Sequence, residues 1–205
     1  EEAAAASNAA LVGDDFITNI AKFKSGTQSM KLIFSNREST AVYQFPWYAR
    51  FARWVEPLVG AVLGRGDMDK IVRLQAMRMP AGASIKQHHD ADQTAHRIHV
   101  VVAAASAGVR FLVCPDVPAS SARDAAAGEA GCLPIAVEEG LVFELNNRVT
   151  HRVDNDSPAP RIHLVVDVLE APRARILLRP GQVCRYDGSI ECDDPPAEGG
   201  GGGGV

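Results

Sequence analysis

The six histidines of this chain fall in two short segments, each with a carboxylate close by. One segment runs Ile85-Lys-Gln-His88-His89-Asp90 and continues to His96-Arg97-Ile98-His99. The other runs Asn146-Asn-Arg-Val-Thr-His151 and continues to Arg161-Ile162-His163-Leu-Val-Val-Asp167. Imidazole and carboxylate together are ligands for divalent transition metals. In an extended segment, residues two apart project to the same side. His88 and Asp90 can then grip one ion while His89 points away; a register shifted by one puts His89 in place of His88. His151, from a distant strand, supplies a third ligand. Two imidazoles and one carboxylate cover one face of an octahedron, suit Fe(II), and leave positions for substrates and O2. Zinc, bound by three protein ligands and a water, is satisfied by the same residues.

Arginines accompany both histidine segments. Arg97 comes nine residues after His88 and Arg161 ten after His151, each opening a Val-rich run. Two arginines so placed are expected as anion clamps, because guanidinium holds a carboxylate through two parallel hydrogen bonds. His163, two residues from Arg161, either faces the same cavity or is a satisfied core imidazole. His96 reads as a solvated loop residue and Asp167 as structural. Arg73, Gln75 and Arg78 lie on the strand before His88. By alternation one face of that strand looks into the cavity, where these residues are candidates for a substrate carboxylate; the other reading leaves them solvated.

The elements that position these groups are mostly strands. Segments 71–79, 97–103, 109–114, 141–145 and 161–169 are rich in Val, Ile and Leu and bounded by Gly, Pro, Asn and Asp. Upstream, Asp14 or Asp15 can cap a helix with Phe16, Ile17, Ile20 and Phe23 on one face, and 32–34 reads as a strand. Pro46 opens a second helical segment that Gly64 stops; Pro57 predicts a kink or two short helices within it. Trp47, Tyr48, Phe51 and Trp54 are expected to pack against a sheet. Segment 115–131 reads as a surface excursion and 181–191 as a last hairpin. The expected fold is mainly β with flanking N-terminal helices, a sandwich or barrel.

Bulk properties narrow the partners. The chain has 205 residues, 46% of them hydrophobic, and a formal net charge of −4. Without a Lys/Arg block, nucleic acid and anionic membranes are poor partners, and no apolar run is long enough to span a bilayer. Of four cysteines, Cys114, Cys132, Cys184 and Cys192, none forms a Cys-x-x-Cys pair, and isolated thiols are expected. Pairing outward from Asp187-Gly188 puts Cys184 opposite Glu191, so a bridge to Cys192 needs adjustment. The expected organisation is a frayed segment 1–13, one domain 14–192 (helical flank 14–66, jelly-roll core 70–170, hairpin 180–192) and a Gly-rich linker or tail 193–205. The sequence reads as a piece of a longer protein, with the cytoplasm favoured and a further domain expected beyond the linker.

The linked motifs Ile85-x-x-His88-x-Asp90, Arg97-Ile98-His99, Gly140-x-x-Phe143-x-Leu145-Asn146-Asn147, His151-x-Val153-x-Asn155 and Arg161-Ile162-His163-Leu164-Val165-Val166-Asp167 resemble the aspartyl/asparaginyl β-hydroxylase family. That family belongs to the Fe(II)- and 2-oxoglutarate-dependent dioxygenases. The resemblance spans 71–169 and implies a double-stranded β-helix, a jelly roll of cupin-like form, with the site at its open mouth. It implies His88, Asp90 and His151 as iron ligands, Arg161 on the distal carboxylate of 2-oxoglutarate, and Arg97 and His99 helping to hold the same cosubstrate. O2 is the second cosubstrate and ascorbate a reductant. The implied reaction is hydroxylation of an unactivated C–H in an amino acid, free or within a peptide or protein. Vertebrate members use two histidines alone; Asp90 places this chain nearer the bacterial branch, which includes free-proline hydroxylases. Where some members carry a serine hydroxyl on the strand before the first histidine, Met77 or Ala76 stands here. Two other classes fit the same residues: a cupin-like isomerase or dioxygenase that does not use 2-oxoglutarate, and a non-catalytic jelly-roll interaction domain.

Overall fold

The computed structural model describes residues 27–35, 40–90, 96–104, 108–115, 131–180, 182, 184–186 and 190–193. The helix expected at 14–23, the frayed N-terminus, the Gly-rich tail and most of 115–131 lie outside the described residues. Eleven strands build the body: β1 (Gln28–Ser35), β2 (Val42–Gln44), β3 (Ile71–Met79), β4 (Ser84–His88), β5 (His96–Ala103), β6 (Val109–Cys114), β7 (Leu133–Ile135), β8 (Val142–Leu145), β9 (Thr150–Asn155), β10 (Arg161–Val168) and β11 (Arg175–Leu177). They form a large sheet ordered β11–β2–β1–β3–β10–β5–β8 and a small sheet ordered β4–β9–β6–β7. From β3 to β10 the chain passes back and forth between the two sheets. These eight strands therefore wind as a double-stranded β-helix, the jelly roll that the sequence led us to expect. Strands β1, β2 and β11 widen the large sheet; the strand expected at 32–34 lies within β1, and β2 is a further strand in the flank.

The helix α1 (Tyr48–Leu63) covers one face of the large sheet. Tyr48, Val55 and Val59 recur at helical spacing and are buried against Leu32, Leu74, Leu164 and Val166. Burying each such side chain stabilises the fold by about 1.5–3 kcal/mol. Gly64 ends the helix at φ 89°, a conformation costly for any residue with a Cβ, and its N–H bonds Gly60 O at 3.0 Å. Two short helices do not form: α1 is continuous through Pro57. That residue lies on the exposed side, where water can satisfy the carbonyl freed by the missing N–H. Trp47, Tyr48 and Phe51 pack as expected, and Trp47 Nε1 donates to Lys31 O at 2.6 Å. Trp54 does not pack on the sheet; it is 61% exposed, because the helical period turns it away.

A second core fills the space between the sheets, with Met79, Ile85, Val101, Phe111, Leu145 and Val153. Asn155 fastens the end of this sandwich: its Nδ2 donates to Met79 O, Pro80 O and Ala159 O at 2.9–3.1 Å. The expectation of isolated thiols fails at Cys114 and Cys132, which form a disulfide. Val113 pairs with Leu133 across β6 and β7, so antiparallel pairing brings the next residues together. The bridge closes a loop of 18 residues, worth about 3 kcal/mol by restricting the unfolded chain. The last hairpin, β12 (Cys184–Tyr186) and β13 (Ile190–Cys192), pairs Cys184 with Cys192 rather than Glu191. Its connection is 187–189, and that third residue shifts the register by one.

Candidate metal centre and anion pocket

His88 and His151 are direct cross-strand partners in the small sheet. A register irregularity between Ile85 and His88 lets both point toward the large sheet despite their odd separation. Asp90 follows in the loop, held by its backbone N–H bonding Asn147 O at 2.8 Å. Ligand atoms of His88, Asp90 and His151 all lie within 4.8 Å of one another, and His88 Nε2 is 3.8 Å from Asp90 Oδ1. His89 is not part of this group. The histidine tautomers are set from behind: His88 Nδ1 donates to Lys86 O at 2.7 Å and His151 Nδ1 to Val149 O at 2.9 Å. Each Nε2 lone pair is thereby directed at the shared space. Burial, then the neighbouring His88, push the pKa of His151 down to about 4, keeping it in the neutral form that binds a metal.

Opposite this group the large sheet lines a cavity of about 100 Å³. From β10 come Arg161 and His163, from β5 Arg97 and His99, and from β3 Arg73, Gln75, Met77 and Met79. Arg161 is buried, and among the described residues no carboxylate pairs with it. Its Nε donates to His163 Nε2 at 2.8 Å, and its guanidinium lies over the Phe111 ring at 5.8 Å. Desolvation lowers its pKa to about 9, which still leaves it cationic at neutral pH. The same burial, with Arg161 close by, drives His163 down to about 2. His163 is therefore a neutral imidazole that lines the cavity beside Arg161 while also being fully buried and hydrogen-bonded. His99 is held neutral by burial and by the cations around it. It stacks on Phe143 at 5.0 Å, and its buried Nε2 has no hydrogen-bond partner among the described residues. A buried cation without an anion and a buried polar atom without a partner both cost free energy. Both residues, Arg161 and His99, line the same cavity.

Arg97 departs from its expected place as an anion clamp. Its Nε and Nη2 donate to Asp167 Oδ1 and Oδ2 at 2.7 and 2.9 Å, and its Nη1 donates to Asp90 Oδ2. Burial opposes its charge, but Asp167 and then Asp90 more than offset that and hold its pKa above the ordinary value. Arg78 departs as well. It lies on the other face of β3, exposed, with Nη1 bonding Gln28 Oε1 at 3.1 Å. Arg73 and Gln75 do reach the cavity, as alternation requires. Met77, not Ala76, stands on the cavity side; Ala76 packs against the core beneath α1. His96 opens β5 and pairs on the surface with Glu144 at 2.6 Å. Two lining residues had no sequence signal of their own. Phe111 separates the metal group from Arg161, stacked over His151 at 6.1 Å. Thr27 precedes β1 and brings to the cavity a buried hydroxyl without a partner among the described residues.

No family model and no curated protein matches this chain. Solved structures do. An oxidoreductase of the 2OG-Fe(II) oxygenase family from Burkholderia pseudomallei superposes with TM-score 0.51 at 17% identity, covering 72% of this chain and 68% of that one. A non-heme monooxygenase in complex with nickel gives TM-score 0.40 at 19% identity, covering 63% and 57%. A cupin domain from an XRE-family transcriptional regulator of Enterobacter cloacae gives 0.37 at 10% identity, covering 72% and 100%. The likeness to the first shows a shared fold: this chain has the double-stranded β-helix found in a 2OG-Fe(II) oxygenase.

Proposed function

We propose that this chain is an Fe(II)- and 2-oxoglutarate-dependent dioxygenase, of the aspartyl/asparaginyl β-hydroxylase kind, that hydroxylates an unactivated C–H of an amino acid or of an amino-acid side chain in a peptide or protein. The carrying observation is the pairing of two features across one small cavity: a His-Asp-His group on one wall, and on the other a buried arginine with no carboxylate partner among the described residues. The residues fit the metal. Three ligand atoms converge, both imidazoles are backed by carbonyls that free Nε2, and the donor set is the one Fe(II) oxygenases use. They fit the dianion too, because Arg161 offers a charge that no carboxylate among the described residues pairs, and His99 Nε2 a polar atom without a hydrogen-bond partner among them.

His88, Asp90 and His151 would hold the iron, which when bound with 2-oxoglutarate and O2 supplies the oxidation of C–H to C–OH. Arg161, oriented by His163, neutralises the distal carboxylate at the dry end of the cavity, where the ion pair is strong. His99 Nε2 meets the same cosubstrate from β5. Phe111 and Met79 exclude water from that end. Gln75, Thr27 and Arg73 line the remaining wall and orient the substrate there. The Burkholderia neighbour supports this reading through its fold.

The test is succinate release from Fe(II), O2 and 2-oxoglutarate, screened over free amino acids and peptides. The wild type releases succinate, faster with the right substrate, and Arg161→Ala loses at least 100-fold at low 2-oxoglutarate. A protein that catalyses metal-dependent turnover undiminished by Arg161→Ala is instead a cupin-like enzyme without this cosubstrate.

A further inference from the structure

Asp167 lies on the central strand β10 with Arg73 as its direct partner on β3 and Arg97 as its direct partner on β5. It is the hub of a buried chain of charges. Asp167 Oδ1 accepts from Arg97 Nε at 2.7 Å; Oδ2 accepts from Arg97 Nη2 at 2.9 Å and lies 3.2 Å from Arg73 Nη1. The far edge of the Arg97 guanidinium, Nη1, donates to Asp90 Oδ2. Asp90 thus presents its other oxygen, Oδ1, on the side of His88. A carboxylate on a loop has two equivalent oxygens and a free rotor; this one has neither freedom.

We propose that Asp167 is a positioning residue for the metal centre: acting through Arg97, it fixes which oxygen of Asp90 faces the ion and at what angle. The inference rests on the metal reading of His88, Asp90 and His151. The planar guanidinium is suited to this, since it can hold Asp167 through two donors and still aim a third at Asp90. The two arginines and two aspartates also balance in charge. Removing the Asp167 charge leaves Arg97 without its anchor, free to take both Asp90 oxygens and compete with the metal for them. Sequence spacing hides this role, because Asp167 and Asp90 never touch.

Calorimetric titration of the metal-free protein with Co(II), together with the visible Co(II) spectrum and thermal unfolding, tests the proposal without turnover. Asp167→Asn and Arg97→Gln are each expected to weaken Co(II) 10–100-fold, the range found for partners behind metal ligands, and to alter the Co(II) spectrum. The double variant is expected to bind no more weakly than Arg97→Gln alone, because Asp167 acts only through Arg97. Arg97→Lys keeps the charge but cannot serve both carboxylates, and is expected to lose at least tenfold; it carries the test should Asp167→Asn fail to fold. Co(II) affinity within twofold of wild type in a folded Asp167→Asn or Arg97→Lys protein overturns the relay while leaving the metal centre standing. So do additive losses in the double variant. A wild type that binds no Co(II) overturns both.

Discussion

The strands β3, β10 and β5 present two different chemistries on their two faces. Toward α1 they show Val72, Leu74, Val100, Leu164 and Val166, all buried in one apolar cluster. Toward the small sheet, at alternating positions, they show Arg73, Gln75, Arg97, His99, Arg161, His163 and Asp167. The backbone is common to both, so the difference is purely the period of two. The apolar face contributes stability by removing carbon from water. The polar face costs stability at Arg161, which no carboxylate among the described residues pairs, and at His99, whose buried Nε2 has no hydrogen-bond partner among them. A ligand that supplies the missing partners recovers that cost on binding. The strands therefore keep the part of the protein that holds the fold separate, by one residue at a time, from the part built to bind.

Mutations that cross this divide should behave oppositely. On the apolar face, Leu74→Ala is expected to cost about 2–5 kcal/mol, read as a lower denaturant midpoint, with metal affinity unchanged in the folded protein. On the polar face, Arg161→Leu is expected to be neutral or to raise stability by about 1–4 kcal/mol, as when a buried ion is replaced by a packed hydrocarbon. It should at the same time abolish 2-oxoglutarate binding. A large loss of stability in Arg161→Leu would show that the arginine belongs to the structural face after all.

Titration sharpens the same contrast. Arg161 has its pKa lowered to about 9 by burial, so above that pH the free protein loses the cation that the dianion needs. Affinity for 2-oxoglutarate, measured with Ni(II) in place of iron, should be flat from pH 7 to about 8.5. It should then fall by up to tenfold per pH unit above about 9. A flat profile to pH 10.5 would mean that Arg161 keeps its proton despite burial. The smallest effect is expected at Arg78, which lies on the exposed end of the α1-side face of β3. Arg78→Ala should change stability by less than about 0.5 kcal/mol and leave both ligands' affinities as they are.

Much of this was legible in the sequence where pattern is strong. Ile71–Met79 and Val109–Cys114 read as strands to the residue, because long Val- and Ile-rich runs end at clear breakers. The structure brings His88, Asp90 and His151 together, as their residue types and linked motifs suggested, with Asp90 in the loop that follows β4. The three-residue strands β2, β7 and β11 were not legible, since they are too short to show alternation and are held by neighbours rather than by propensity. In the sequence Arg97 reads as an anion clamp and Asp167 as structural; the buried ion pair between them bears out the second reading. Both sit where anion-binding and salt-bridging residues look alike, and only the β10–β5 register shows that they face each other. Cys114 and Cys132 meet through a strand pairing across 18 residues that no local motif announces. Phe111 was invisible as a site residue because an aromatic in an apolar strand looks like any other part of a core.

The central claim is that one cavity holds a metal at His88, Asp90 and His151 and a dicarboxylate at Arg161. Anaerobic addition of Fe(II) and then 2-oxoglutarate tests it most directly, through the weak visible charge-transfer absorption of the chelate. The account predicts the band in the wild type, its loss in His88→Ala, and in Arg161→Ala its appearance only at far higher 2-oxoglutarate. A wild-type protein that shows no band, or an Arg161→Ala protein that shows it at wild-type concentrations, would contradict the account.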